Sequence, residues 1–444
     1  MMNKQTTINS NPPLTQEKAF IHLLGISGDI PTSALPNIMP SAIYARRLIA
    51  RLVKDRVIKV VYKDGMRSYR LKEKGKKIVT EENSLRFRNY LTDGNEINKP
   101  PSDIVRRKRL LSQSEVLTLM YSAGVFIFDD VKPDIFGNVT LPLADESFDL
   151  IPSQTNFLSA NGNPTIKAQQ HTTQPRLTPA PLEEKKFIKS EARLESGYPP
   201  SNAPHITHPS FYTSREYKRV NWNELVGKSS KPQVIRGSRS AGMLLTPTQV
   251  FAIYNTGEVM KKWGTGVEIK YLTELEHSLC RNLLSAQYSS AKVGGILIGN
   301  NLETLEKYLT DKTAYKGAKK FLESIYNPLY YITNDKYGSV QLNLIANAHH
   351  HESFQAMLLA KFKPKDRTYP IEHDALTVDG NPILLLSTPN IPRLIKFKKG
   401  LGETDRKGVI FCFDFQVEML GRYLGNMVEI KSLDFEKVKS RFLK

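Results

Sequence analysis

The chain has 444 residues, 40% of them hydrophobic, and a formal charge of +19 at neutral pH. That length predicts two or three domains with real cores. The charge alone fits DNA, RNA, anionic lipid or a solvated surface, so its placement has to decide among them. The two cysteines, Cys280 and Cys412, have no CxxC-type neighbours, so neither a disulfide framework nor a zinc site is indicated. The first residues lack the apolar stretch of a signal sequence and no apolar run approaches ~18 residues, so a cytoplasmic protein without a membrane span is expected.

Residues 1–13, rich in Asn, Pro and Thr, read as a disordered leader. A first helix is expected from Thr15, whose hydroxyl can cap it, with Phe20, Leu23 and Leu24 as its apolar face and Gly25 to Gly28 at its end. Residues 31–35 predict a short second helix that stops at Pro36 or Pro40. The next stretch, SAIYARRLIARLVKDRVIKVVYKDGMRSYR from Ser41 to Arg70, carries the strongest signal. Ala45, Leu48, Ile49 and Leu52 recur at helical spacing, with Arg46, Arg47, Arg51 and Lys54 on the other flank. After Asp55 and Arg56 the period changes to that of a strand through Tyr62. Lys63-Asp64-Gly65 then predicts a tight hairpin turn, because Asp-Gly accepts positive φ at both central positions. Three helices closed by a hairpin define a winged helix-turn-helix. Residues 40–110 hold 20 Lys and Arg against 8 Asp and Glu, a net +12 of the chain's +19. Most of the excess charge therefore sits on and after this unit, where neutralising DNA phosphates is its simplest physical use.

Beyond the hairpin, residues 71–91 predict a basic helix with Gly75 as an early weak point. Residues 102–124 predict a longer one in which Arg106, Arg107, Lys108 and Arg109 wrap more than one face, either as a solvated helix end or as phosphate contacts. A strand-like piece at 125–128 leads to an acidic turn, Asp129-Asp130. From 151 to 210 the chain is dense in Pro, Asn, Gln, Thr and Ser, which predicts a flexible linker with one short helix at 182–194. A connector of that length is expected to separate two units.

Residues 211–444 alternate strands (231–237, 242–247, 250–255, 292–299, 330–335, 382–388, 393–399, 408–414 and 427–434) with helices (301–326, 352–362 and 415–425) and end in a basic helix. This predicts an α/β layer with a mixed, partly parallel sheet. The expected domains are therefore a winged helix at 14–90, a helical extension at 91–150, the linker at 151–210 and an α/β domain at 211–444.

Three constellations in the second half bear on chemistry. Glu268-Ile-Lys270 and Glu429-Ile-Lys431 both read as Glu-x-Lys on a strand, the pattern of a metal-dependent nuclease that holds Mg²⁺ with two acids and orients water with a Lys. Asp414 is the upstream acid for the second, but a helix is expected between Asp414 and Glu429. His349-His350-His351 reads as a polar loop or element end, because adjacent side chains diverge. Arg236 to Gly242 is a Gly/Ser/Arg-rich turn suited to a phosphate or an internal salt bridge, without a Walker or dinucleotide fingerprint. Tyr254 and Trp263 read as a turn residue and a core anchor.

Residues 44–79 and 106–125, with the later blocks FYTSREYKR, SRSAGMLLTP and VFAIYNTGEVMKKW, resemble the replication-relaxation type of winged-helix proteins of Gram-positive plasmids and integrative elements. The resemblance implies DNA binding in replication, transfer or regulation of a mobile element, and a nuclease-related, degenerate C-terminal fold. It carries over no catalytic residue.

The leading expectation is a double-stranded DNA-binding protein without catalysis, cofactor or bound metal. Ser41, Tyr44, Arg46, Arg47 and Arg51 are its helix contacts and Lys63 and Arg67 its wing contacts. The C-terminal domain would serve partner contacts or self-association. The alternative is a Mg²⁺-dependent endonuclease using Asp414, Glu429 and Lys431. A third reading is a scaffold that uses the winged helix for protein contact only.

Overall fold

In the computed structural model, residues 14–87, 90–91, 103–137, 204–218, 238–258, 266–311 and 320–442 are described, with a few isolated positions between them. The expected leader, the helix at 182–194, the linker up to residue 203 and most of the strand at 231–237 lie outside the described residues.

Helix α1 (Gln16–Ser27) is capped by Thr15, whose hydroxyl accepts from the Lys18 N–H at 3.3 Å, and Gly28 ends it at φ 79°. The chain then forms strand β1 (Ile30–Pro31) and a 3₁₀ turn, Thr32–Asn37, in place of the expected second helix. Pro36 inside that segment has no N–H to give, which favours the short 3₁₀ form. Helix α2 (Ala42–Lys54) buries Ala45, Leu48, Ile49 and Leu52, as the spacing predicts. Strands β2 (Ile58–Lys63) and β3 (Met66–Leu71) follow, and the small sheet runs β1-β3-β2 with both pairings antiparallel. Asp64 at φ 56° and Gly65 at φ 74° give the primed turn that matches strand twist.

Helix α3 (Glu73–Glu82) crosses the base of the hairpin. Gly75 is a packing point rather than a weak one: a Cβ there would lie 2.4 Å from the Val57 carbonyl oxygen, so only glycine lets helix and strand approach this closely. Helix α4 (Ile104–Ser122), capped by Asp103, matches the expected long basic helix.

In the second half the strands are β4 (Ser210–Thr213), β5 (Gly242–Leu245), β6 (Val250–Gly257), β7 (Trp263–Gly264), β8 (Gly294–Gly299), β9 (Lys320–Phe321) and β10 (Leu329–Thr333). Five of them form a sheet ordered β10-β8-β6-β5-β4, parallel across β10, β8 and β6 and antiparallel beyond; β7 and β9 form a separate ribbon. A third sheet runs in chain order through β11 (Lys363–Pro364), β12 (Ala375–Leu376), β13 (Pro382–Leu385), β14 (Gly408–Phe413) and β15 (Val428–Leu433), its last three strands parallel. The flanking helices include α5 (Gly266–Glu274), α6 (Leu302–Thr310), α7 (Lys336–Ala346), α8 (Ala348–Leu359), α9 (Ile391–Thr404), α10 (Val417–Leu424) and α11 (Phe435–Phe442). This half is mixed α/β with partly parallel sheets, as its alternation predicts.

Four further element expectations are overturned. The helix expected over 301–326 is not continuous: α6 ends at Thr310, and residues 320–321 form strand β9. Residues 393–399 lie in α9, not a strand: Pro392 at its start favours a helix, and Leu394, Phe397 and Leu401 are buried at helical spacing. Glu268 and Lys270 lie on α5, so the first Glu-x-Lys is helical and its two side chains do not share a strand face. Residue 210 opens β4 and is not linker.

The middle sheet joins the two halves. Along β6, Val250, Ala252 and Tyr254 enter the core of the second half, while Phe251 and Ile253 enter an apolar cluster shared with α1, α2 and α4. Ile296 and Ile298 of β8 do the same. Polar contacts follow the same seam: Asn37 Nδ2 donates to Asn334 Oδ1 at 3.0 Å, Asn343 Nδ2 to the Ala123 carbonyl at 2.9 Å, and buried Lys132 to Glu216 at 2.5 Å. Burial works against the Lys132 charge, but Glu216 and Asp129 outweigh it and hold its pKa above the usual range. The orientation of α2 and its hairpin is therefore fixed against the α/β body.

Candidate nucleic-acid interface

The exposed side of α2 is built by the same periodicity that buries the other. Ile43, Arg46, Arg47 and Ala50 recur at three- and four-residue spacing and are all exposed. Arg46 and Arg47 have no carboxylate partner among the described residues. Ile43, 64% exposed in the first turn, projects an apolar side chain beside them. No carboxylate lies on α2 itself; the nearest along the chain is the C-cap, Asp55.

The other expected contacts divide. Ser41 is the N-cap, its hydroxyl accepting from the Tyr44 N–H at 3.2 Å, so its first duty is to the helix. Tyr44 is at the margin of exposure. Arg51, on the flank toward α1, pairs with Glu17, which neutralises part of its charge. On the hairpin, Lys63 and Arg67 are exposed; Arg67 sits opposite Tyr62 in the register, and Tyr62 is 74% exposed. Ile43 and Tyr62 were missed because exposure, not residue type, marks them. The stripe to which Ile43 belongs was legible in the spacing.

What the sequence hid is how the hairpin is held. Arg107, 1% exposed, reaches from α4 to the turn: its guanidinium donates to the Lys63 carbonyl at 2.5 Å, the Met66 carbonyl at 3.2 Å and Ser68 Oγ at 3.3 Å. The two carbonyls flank Asp64-Gly65, so one side chain grips both arms of the turn. Arg107 is thus neither a solvated helix end nor a phosphate ligand. Arg70 is likewise internal: its Nε and Nη2 both donate to Asp29 Oδ2, at 3.0 and 2.6 Å, tying β3 to the turn after α1. Arg86 pairs with Asp130 at 2.8 Å and donates to His22 Nδ1 at 2.8 Å. A helix and hairpin so braced present their charge with little conformational loss on binding.

The candidate chemistry of the second half does not assemble. Glu429 and Lys431 share a face of β15 and pair at 3.6 Å, as alternation predicts. Asp414, however, follows Phe413, the partner of Leu433, whereas Glu429 pairs with Val409. That offset is five residues, roughly 16 Å at ~3.3 Å per residue. The two acids therefore do not converge on one ion although β14 and β15 are neighbours. His349, His350 and His351 begin α8; His350 contacts Asn343 and His351 contacts Gln355. Among the described residues no group of three or more His, Cys, Asp or Glu could hold a metal.

Cys280 and Cys412 are free and buried, and burial pushes each thiol up to about 12, which makes both poor nucleophiles. Tyr254 lies within β6 and not in a turn, its hydroxyl 2.6 Å from that of Tyr326; the side chain of Trp263 lies outside the described residues. Arg236 and Gly237 are also outside them, while Ser238 to Ala241 line a small cleft against α4. Among the described residues no helix is long and apolar enough to cross a membrane.

No family model, no curated protein and no solved structure matches this chain.

Proposed function

We propose that residues 14–90 form a winged helix-turn-helix that binds double-stranded DNA, with α2 in the major groove and the β2–β3 hairpin as a wing along the backbone. The observation that carries this reading is the pairing of an exposed Ile43-Arg46-Arg47-Ala50 stripe with a hairpin whose turn is gripped from behind by a buried arginine. A merely solvated surface has no need of a held turn. Arg46 and Arg47 are the principal groove and phosphate contacts, through guanidinium forks that match guanine or phosphate. Tyr44, Lys63 and Arg67 support them, and Ser41 and Arg51 act chiefly on the helix. In line with the family its sequence resembles, the protein acts in replication, transfer or regulation of a mobile element, and the α/β half serves as a partner or self-association surface.

The test is duplex binding by the double variant R46A/R47A across a salt series. The expected outcome is weaker binding at every concentration and a log–log salt slope shallower by about two, at ~0.9 for each phosphate that is no longer neutralised. Unchanged affinity and slope would remove α2 from the interface.

A further inference from the structure

In the two five-stranded sheets of the α/β half, three of the four outer edges are closed. Phe126 bridges β4, donating its N–H to the Pro209 carbonyl at 2.9 Å and accepting from the Phe211 N–H at 2.8 Å. Beside β10, the Pro389 carbonyl accepts from the Tyr331 N–H at 3.0 Å. Strand β11 has only two residues, one of them Pro364, which has no N–H to offer a further strand. The fourth edge, β15, is different. It runs for six residues, Val428–Leu433, pairs with β14 on one side, and makes no other backbone hydrogen bond among the described residues. A row of unpaired N–H and C=O groups of that length is a template for another strand.

We propose that β15 pairs antiparallel with β15 of a second copy of this chain, centred on Ile430, so that the two sheets become one across a two-fold axis. The proposal rests on the self-association reading of the α/β half and assigns that reading a surface. Charge selects the register. Glu429 and Lys431 lie on one face of the strand, with side chains 66% and 40% exposed. A two-fold axis perpendicular to the sheet keeps each face together, so the pairing must centre on a single residue. Centred on Ile430, it sets Glu429 opposite the partner's Lys431, and the symmetry repeats the contact. Centred on Glu429 or on Lys431, it sets like charges face to face, which is destabilising. Within one copy the two side chains already meet at 3.6 Å, but Cβ atoms two residues apart along a strand are separated by roughly 6.6 Å. Directly opposed residues of neighbouring strands bring them to about 4.5–5.5 Å, so each copy's exposed pair is exchanged for a closer one across the interface. Charges on an edge can instead serve to repel other strands, and the two uses give opposite results on mixing complementary variants.

The experiment is sedimentation velocity of the full chain over a dilution series, as the parent, as E429K, as K431E and as an equimolar mixture of the two variants, each first shown to be folded by circular dichroism. The parent is expected to be a weak, concentration-dependent dimer. Each substitution places two like-charge pairs across the axis and should raise the dissociation constant about tenfold. The mixture should recover the dimer, because one copy then presents two cations against two anions on the other. Mixing repairs no defect within a single chain. A parent that stays monomeric throughout overturns the proposal and the self-association reading with it. A dimer that neither substitution weakens overturns the β15 assignment and leaves self-association to another surface. Neither result bears on duplex binding, which R46A/R47A decides.

Discussion

Arg46 and Arg47 stand in solvent on α2, whereas Arg70, Arg86 and Arg107, within about sixty residues of them, are at most 3% exposed. Both groups add to the same basic window of the sequence. The outer pair is open to solvent and, on the proposed reading, to duplex DNA, and the inner three are satisfied by the chain itself, on Asp29, on Asp130 and His22, and on the turn carbonyls. Net charge therefore overstates the cationic surface, and part of the +12 in residues 40–110 is spent on architecture. The contrast predicts two separable phenotypes. Loss of an outer arginine weakens binding and spares the fold, and loss of an inner one does the reverse or both.

The largest effect is expected at Arg70. Its removal leaves Asp29, which is fully buried, without its counter-charge. Breaking a buried pair on one side costs about 3–5 kcal/mol. R70M should lose that much in chemical denaturation, and R70M combined with D29L should regain part of it, since an apolar pair of similar bulk avoids the stranded charge. A loss under about 1 kcal/mol for R70M would mean that Arg70 belongs with the outer group.

Arg107 should give the mixed phenotype. R107M leaves two turn carbonyls without their charged donor and should cost about 1.5–3 kcal/mol. On the proposed reading it should also weaken duplex binding although Arg107 is too buried to touch DNA, because the hairpin loses its anchor. A titration in which stability falls and affinity does not would show that the hairpin needs no bracing for binding.

Arg56 tests the boundary between the groups. It lies just past α2 at φ 59°, a left-handed conformation that costs a residue with a side chain about 1 kcal/mol relative to glycine. The chain keeps an exposed arginine where glycine fits better. R56G should therefore raise stability by about 1 kcal/mol while lowering duplex affinity a few-fold. If both rise, Arg56 is no part of the interface.

The sequence was most informative where one residue carries a local rule. Thr15 and Ser41 cap their helices, Asp64-Gly65 turns the hairpin, and the 45-48-49-52 spacing buries the inner face of α2. It was least informative where identity depends on a partner far along the chain. Nothing local distinguishes Arg107 from Arg106 or Arg109, because the partner carbonyls lie some forty residues earlier. Gly75 read as a defect because the Val57 carbonyl that demands it belongs to another element. The short segment at 393–399, apolar only at Leu394, Ile395 and Phe397, is too brief for its period to separate strand from helix, and Pro392 was the signal to choose helix. Asp414 and Glu429 show the same limit from the other side: neighbouring strands were needed and are present, but the register, invisible locally, keeps the acids apart.

The smallest effect, and the one that separates the groups by a different variable, is pH. His22 is 2% exposed; its Nδ1 faces the Arg86 guanidinium at 2.8 Å, so it must accept there, and its Nε2 faces Glu82 at 3.1 Å. Burial first, and then the Arg86 charge, outweigh the Glu82 hydrogen bond and hold the imidazole pKa below its usual 6.5. As pH falls through 6.5 the unfolded chain takes up a proton that the folded chain refuses, so the stability present above 6.5 declines until the folded pKa is passed. His350 and His351, also lowered by burial, add in the same direction. Denaturation midpoints should therefore fall between pH 7 and pH 5.5, and H22Q, which keeps one donor and one acceptor, should flatten part of that slope. Arginine does not titrate in this range, so an interface built on arginines, as proposed, should leave the affinity of the folded protein for duplex unchanged over the interval. An affinity that falls in step with stability would place a titrating group in the interface and erase the division between outer and inner cations.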